Sequence, residues 1–352
     1  MFIAGLGTAN PPYRYKQSDC LRTLEGSQQF LQLKPSAQFL IKRILEHPHG
    51  ITTRSFALAD LSLAFELVPD VLHGRFLEHA PALASVAAGN ALREAGLTPT
   101  DIDAVIISTC TGYLCPGLTS YVIERMGLRP DVLALDLVGQ GCGAAIPNMR
   151  TAEALIAAGR MQHVLSVCVE VCSAAFYLDD DPGVLISACL FGDGAGAAVL
   201  SANPGVGQRR VKWIDSQTHT NPLDRNLLRF EQKDGMLRNI LSLQVPELAA
   251  RYAHDILDGM LQRRNLNQTD IVGWVWHGGG KNVLDALQAQ LGLGDHEVRH
   301  SRQILNDYGN MSSAFVYFVL KAALVDQPRP GWWWMSSFGA GFSCHGVLLE
   351  IT

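Results

Sequence analysis

A chain of 352 residues exceeds the size at which a single hydrophobic core keeps growing, so one large α/β unit or two fused lobes is expected. Hydrophobic residues make up 48 % and charged residues 17 %, which suits a deep core and excludes a disordered chain. The formal net charge of −5, from 28 basic and 33 acidic residues with no basic stripe, gives no footing for a nucleic-acid partner.

Along the chain, Met1-Phe2-Ile3-Ala4-Gly5-Leu6-Gly7 lacks a positive leader and reads as a first strand, not a secretory signal. Gln28 to Leu45 has helical spacing with Lys34, Lys42 and Arg43 on a polar face, and Phe76 to Ala95 is a long Ala-rich helix ended by Gly96. Strands are expected at Val105 to Ser108, His163 to Val169 and Ala195 to Leu200, the last after the turn Gly192-Asp193-Gly194. Asn203 to Gly235 is polar and punctuated by Pro and Gly, which divides the chain into halves 1–202 and 203–352. Helices follow at Val245 to Arg264, Asn282 to Leu291 and after Asn310, with terminal strands at Trp332 to Met335 and Cys344 to Ile351. Alternating strands and helices predict mixed sheets covered by helices. The most apolar run, Phe315 to Val325, is interrupted by Lys321 and too short to span a bilayer. Eight cysteines without a CxxC pattern read as reduced cytosolic thiols and offer no metal site, so a cytoplasmic protein is expected.

One cysteine stands apart. In Asp136-Leu137-Val138-Gly139-Gln140-Gly141-Cys142-Gly143 a strand pattern passes through glycine into a helical one, leaving the Cys142 thiol at a helix start, where backbone N–H groups favour the nucleophilic thiolate. The chain also repeats itself: Thr100-Asp101-Ile102 leads into one strand and Thr269-Asp270-Ile271 into another. Cys142 lies 41 positions beyond Asp101, and Asn310 lies 40 beyond Asp270, which makes Asn310 the expected pseudo-symmetric counterpart of Cys142. His277 closes the repeated strand. Duplicated strand–helix units that bring two helix starts to one centre are the sequence mark of a two-lobed enzyme.

Four strings identify a relationship. Gly7-Thr8-Ala9-Asn10-Pro11-Pro12, Leu190-Phe191-Gly192-Asp193-Gly194-Ala195, Tyr308-Gly309-Asn310-Met311-Ser312-Ser313-Ala314 and Phe338-Gly339-Ala340-Gly341 stand in the order found in the type III polyketide synthases of bacterial type, the chalcone and stilbene synthase family, which the chain resembles over its whole length. The resemblance implies a thiolase-like α/β fold of duplicated αβαβα halves with pseudo-twofold symmetry, and a homodimer. It implies that Cys142 takes an acyl starter from coenzyme A, that His277 keeps its sulfur ionised, and that His277 and Asn310 stabilise the enolate left when malonyl-CoA loses CO₂. A pyrone, resorcinol or phloroglucinol-type product would follow by cyclisation. No cofactor beyond the coenzyme A thioesters is implied. Phe191 would gate the passage from the coenzyme A tunnel to a cavity where Cys172, Ala175, Gly235 and Ser312 set the volume. Small side chains at all four favour a bulky or long starter. Cys115 takes the place of a residue reaching towards a neighbouring subunit, and Lys42, Arg43 and Arg54 are assigned to the coenzyme A phosphates.

The chain departs from the plant pattern at Gly278, where Pro is usual, and after Gly235, where the segment is shorter and carries no second gatekeeper Phe. Two rival readings are a ketoacyl synthase that condenses once with malonyl-carrier protein, and a non-catalytic partner in a heterodimer. The string His277-Gly278-Gly279-Gly280 argues against the first, and the intact Cys, His and Asn against the second.

Overall fold

A computed structural model describes residues 1–46, 50–204, 210–326 and 328–352; part of the expected boundary segment, 205–209, lies outside them. Strand β1 (Phe2–Ala9) is followed by the hairpin-like pair β2 (Tyr13–Lys16) and β3 (Thr53–Phe56), which enclose α1 (Gln17–Glu25), α2 (Gln28–Leu31) and α3 (Pro35–Glu46). The single helix expected over 28–45 is two, because Pro35 begins a new one where its missing N–H costs nothing. Next come α4 (Pro69–Ala95), β4 (Ala104–Ser108), α5 (Leu118–Met126), β5 (Leu133–Asp136), α6 (Ala145–Ala157), β6 (His163–Glu170), α7 (Pro182–Leu190) and β7 (Gly194–Ser201). The second half holds β8 (Val211–Thr220), the hairpin β9 (Leu228–Lys233) and β10 (Met236–Leu241), α8 (Val245–Arg264), β11 (Ile271–Trp276), α9 (Lys281–Leu291), α10 (Asp295–Tyr308), α11 (Phe315–Val325), β12 (Gly331–Gly339) and β13 (Ser343–Ile351).

The repeat legible in the sequence is a physical unit. Gly96 caps α4 in the left-handed conformation, and Asn265 does the same for α8. Two residues on, Asp101 accepts from the Thr98 N–H at 2.7 Å, and Asp270 accepts from the Asn267 N–H at 2.7 Å, so each strand is introduced by the same reciprocal cap. The sheet repeats as well. Its order is β11-β12-β13-β8-β1-β7-β6-β4-β5. Outward from the antiparallel β1–β8 contact, each side continues with two antiparallel neighbours and then a parallel one. Only the first half adds β5, parallel to β4. Strand β8, at the centre, was hidden in a segment expected as boundary, because seven of its ten side chains are polar.

Helices α6 and α11 lie between the two halves, each touching strands of both. Outside them α4 covers β1, β7 and β6, while α8 covers β8 and β13, giving the five layers of a duplicated αβαβα fold. The α4 layer sits unusually close. A Cβ on Gly7 would lie 1.9 Å from the Ala87 carbonyl oxygen, and one on Gly5 2.3 Å from that of Ala91, which is why the strand carries glycine where the helix carries alanine.

Candidate active site

The turn that carries Cys142 is built by glycine. Residues Gly141–Gly143 form one turn of 3₁₀-helix leading into α6, with Gly141 at φ +56°. A Cβ on Gly143 would stand 3.0 Å from the Gly339 backbone nitrogen, and one on Gly339 2.3 Å from the Gln140 carbonyl oxygen, so the loop after β12 lies directly on the turn. Ser337 fastens it by donating from Oγ to the Gly143 carbonyl at 2.9 Å. Cys142 is buried in this turn, three residues ahead of α6 and so close to the helix start that its pattern predicts.

His277 follows β11, its N–H donating to the Ser336 carbonyl at 3.0 Å and its ring set edge-on to Phe315. The imidazole is buried and helps to lower the Cys142 thiol, and its Nδ1 has no protein partner. Asn310 is fixed at every polar atom. Its Oδ1 accepts from the Ser312 N–H at 2.8 Å and its Nδ2 donates to the Gly279 carbonyl at 3.0 Å, which defines the amide's orientation and leaves one Nδ2 hydrogen uncommitted. Its backbone pairs with the residues on both sides of Phe191, through Leu190 O at 2.9 Å and the Gly192 N–H at 3.0 Å. Cys142, His277, Asn310, Phe191 and Phe338 all face one cavity of about 310 Å³.

Asn310 is not the strict counterpart of Cys142. Cys142 stands three residues before α6, and the residue three before α11 is Ser312, held at φ +49°. The Ser312 hydroxyl donates to the Cys142 sulfur at 3.1 Å and meets the Cys110 sulfur at 3.1 Å. Cys110, beyond the end of β4, carried no signal in the sequence. Its thiol lies against Cys142, and that contact, followed by His277 and Ser312, holds the Cys142 thiol well below its ordinary range against the opposing effect of burial. Cys110 is pushed well above its own range by Cys142, by burial and by Glu170. Of this pair Cys142 is therefore the thiol whose surroundings favour ionisation. Glu170, fully buried, accepts from the Cys110 N–H at 3.1 Å, from Thr111 at 2.9 Å and from the Ser313 hydroxyl, and burial raises its carboxyl. Cys168, Cys189 and Cys344 are pushed up to about 12 by burial, so none competes as a nucleophile.

Beyond Phe191 lies a second cavity of only about 40 Å³, faced by Cys172, Ala175 and Ser312. The small side chains do gather there, and Phe56, Phe176, Tyr177 and Phe230 line the same small space. Gly235 faces neither cavity. It occupies the β9–β10 turn at φ +77°, where a Cβ would meet Pro69. Cys115 is exposed and lines no cavity described within the single chain.

The three basic residues part company. Arg43 stands at the mouth of the larger cavity beside Leu40 and Ile44, as does Lys281, which the sequence reading missed. Lys42 is tied to Glu25 at 2.6 Å. Arg54 is buried, donating to Gln17 at 2.9 Å and to the carbonyls of Ala188 and Phe191 at 2.8 and 3.0 Å, so it braces the backbone at Phe191 and does not reach a surface phosphate. Among the described residues no cluster of His, Cys, Asp and Glu is placed to hold a metal, and no helix is long and apolar enough to cross a membrane.

Comparison with known proteins accords with this geometry. Residues 13–216 match the family described as FAE1/Type III polyketide synthase-like protein, and residues 226–351 match the chalcone and stilbene synthase C-terminal domain. The 1,3,6,8-tetrahydroxynaphthalene synthase of Streptomyces peucetius subsp. caesius is 33 % identical over 99 % of the chain and 92 % of its own length. The 3,5-dihydroxyphenylacetyl-CoA synthase of Amycolatopsis orientalis is 33 % identical over 74 % of the chain and 71 % of its own. Among solved structures, PKS-I of the brown alga Ectocarpus siliculosus superposes with a TM-score of 0.89 at 29 % identity, covering 99 % of this chain and 97 % of that one. The C-terminal type III domain of Steely1 from Dictyostelium superposes at 0.90 with 25 % identity, covering 99 % and 98 %.

Proposed function

The chain belongs to the type III polyketide synthases, acyltransferases that join acyl groups by decarboxylative condensation, and from that premise we propose that Cys142, His277 and Asn310 are its catalytic residues. The observation that carries this reading is their convergence on one cavity from three separate elements, with Cys142 the thiol whose surroundings favour the thiolate. The Cys142 thiolate attacks the thioester carbonyl of an acyl-CoA, a new C–S bond forms, and coenzyme A leaves as its thiolate to be protonated. Malonyl-CoA then loses CO₂, and the electrons of the broken C–C bond become an enolate. The free Nδ2 hydrogen of Asn310 and the His277 ring nitrogen nearest Cys142 donate to its oxygen. The enolate carbon attacks the acyl carbon on Cys142, forming the C–C bond and returning the thiolate. No residue need remove a proton from carbon, which accounts for an amide where a base would otherwise be required.

Each such donor is worth about 3 kcal/mol. His277→Gln or Asn310→Asp should therefore abolish decarboxylation of malonyl-CoA, whereas Cys142→Ala should retain it. Undiminished decarboxylation by Asn310→Asp would reduce Asn310 to a structural cap. Coenzyme A thioesters should suffice with no carrier protein; an absolute need for malonyl-carrier protein would favour the single-condensation alternative. The roughly 40 Å³ beyond Phe191 favours a short starter. The duplicated units are assigned to residues 1–202 and 203–352. A homodimer is supported by exposed apolar residues along one edge, Tyr113 and Val138 beside the exposed Cys115 and strand β5, and sedimentation would test it. A cytoplasmic setting rests on eight unpaired cysteines.

A further inference from the structure

Two residues, Phe191 and Asn239, line both the Cys142 cavity and the smaller cavity behind it. Phe191 is one half of the partition. Asn239, on β10, is the other, and it occupies the region where the sequence shows no second gatekeeper aromatic. Its strand is firmly held. The neighbouring Arg238 bonds Asp179 at 2.7 Å and Glu231 at 3.0 Å and lies 3.3 Å from Asp181, fastening the β9–β10 hairpin to the segment before α7.

The orientation of the Asn239 amide follows from its neighbour. Ser187 spends its one hydroxyl proton on the Gly183 carbonyl at 2.7 Å, so its oxygen can only accept, and it does so from Asn239 Nδ2 at 2.8 Å. A flipped amide would set two acceptors against each other. The Asn239 Oδ1 is consequently turned away from Ser187, and it is buried with no donor from the protein. Buried acceptors are almost always satisfied, and one left open in a passage is a place for a donor brought by the ligand.

We infer that Asn239 is a specificity-determining residue that favours acyl chains carrying an O–H donor near the thioester, enolised or hydroxylated, over alkyl chains of equal length. An acyl chain passing from Cys142 to the inner cavity has to separate Phe191 from Asn239, which uncovers Oδ1. An enol or alcohol O–H meets it there. A methylene chain leaves it unmet. Each condensation adds a ketone to the growing chain, which offers such an O–H only as its enol tautomer.

The inference rests on the active-site reading, and the experiment separates the two. The full-length protein is offered butyryl-CoA or 3-hydroxybutyryl-CoA, and acylation of Cys142 is followed by intact-protein mass spectrometry. The hydroxylated ester should react with about tenfold higher kcat/KM, the value of one hydrogen bond to a neutral acceptor. Asn239→Leu, similar in volume but without the acceptor, should bring the ratio to about one. If that variant lacks a native melting transition, Asn239→Ala removes the same acceptor without adding bulk and is read in the same way. Equal reactivity of the two esters in the parent protein, or a ratio left intact by removing the acceptor, overturns the inference while Cys142 acylation stands. Acylation by neither ester overturns the active-site reading and this inference with it.

Discussion

Replacing Cys110 by alanine should make Cys142 a poorer nucleophile without touching any residue assigned to the enolate. The Cys110 thiol is the largest of the influences that depress Cys142, ahead of His277 and of the Ser312 hydroxyl at 3.1 Å. A hydrogen bond to a charged acceptor is worth about 1.5–3 kcal/mol, and a thiol is a weak donor, so the lower end applies. Losing it raises the pH at which Cys142 ionises. The assay is the rate of iodoacetamide alkylation against pH, with the modified peptide identified. The midpoint should move upward in Cys110→Ala, and alkylation below the midpoint should slow about tenfold. Cys110→Ser, which restores a stronger donor, should return the midpoint to the parent value or below. An unchanged midpoint in Cys110→Ala would show that the two sulfurs do not share a proton, and the account of the thiolate would fall back on His277 and Ser312 alone.

Stability should depend on His345. Burial lowers this imidazole from 6.5 to about 4, so between those values the unfolded chain binds a proton that the folded chain refuses. Stability is thus present above pH 6.5 and is lost as the pH falls towards 4, by about 3 kcal/mol. Urea unfolding at both ends of that window should show a smaller loss in His345→Gln, and an equal loss would place the acid sensitivity elsewhere. Gly7→Ala should destabilise by about 3 kcal/mol or more, since overpacking a sealed interface forces backbone apart. A melting temperature within a degree or two of the parent would mean that α4 can retreat from β1.

The duplicated frame was legible because its signals are local. A reciprocal cap needs only Thr98 and Asp101, or Asn267 and Asp270, within one turn, and a strand follows each directly. Cys142, Asn310 and His277 were legible as strings beside glycine. What the sequence could not show was depth. Arg54 looks like any surface cation until the fold seals it behind Phe191, and Gly235 looks like a cavity residue until the hairpin turn carries it to Pro69. Cys110 and Glu170 meet because parallel strands β4 and β6 end side by side, a register that no local pattern encodes. The size of the inner cavity was not legible for a related reason. It depends on Phe56, Phe176 and Phe230 arriving from three distant segments, not on the small residues themselves.

The backbone pairing between Phe191 and Asn310 couples two properties that selection would otherwise adjust separately. The aromatic ring can turn about its own side-chain bonds, but the peptide beneath it cannot shift without pulling on Leu190 O and Gly192 N, and both are bonded to the main chain of Asn310. Ring rotation therefore leaves the site undisturbed, whereas any change that displaces the strand-like segment under the ring displaces the amide proposed to hold the enolate. Gly192 is the sensitive point, since a Cβ there would lie 2.5 Å from the Tyr308 carbonyl oxygen. Tolerance for new substrates is thus confined to what side chains can do, and variation at Leu190 or Gly192 registers as lost turnover before it registers as altered choice.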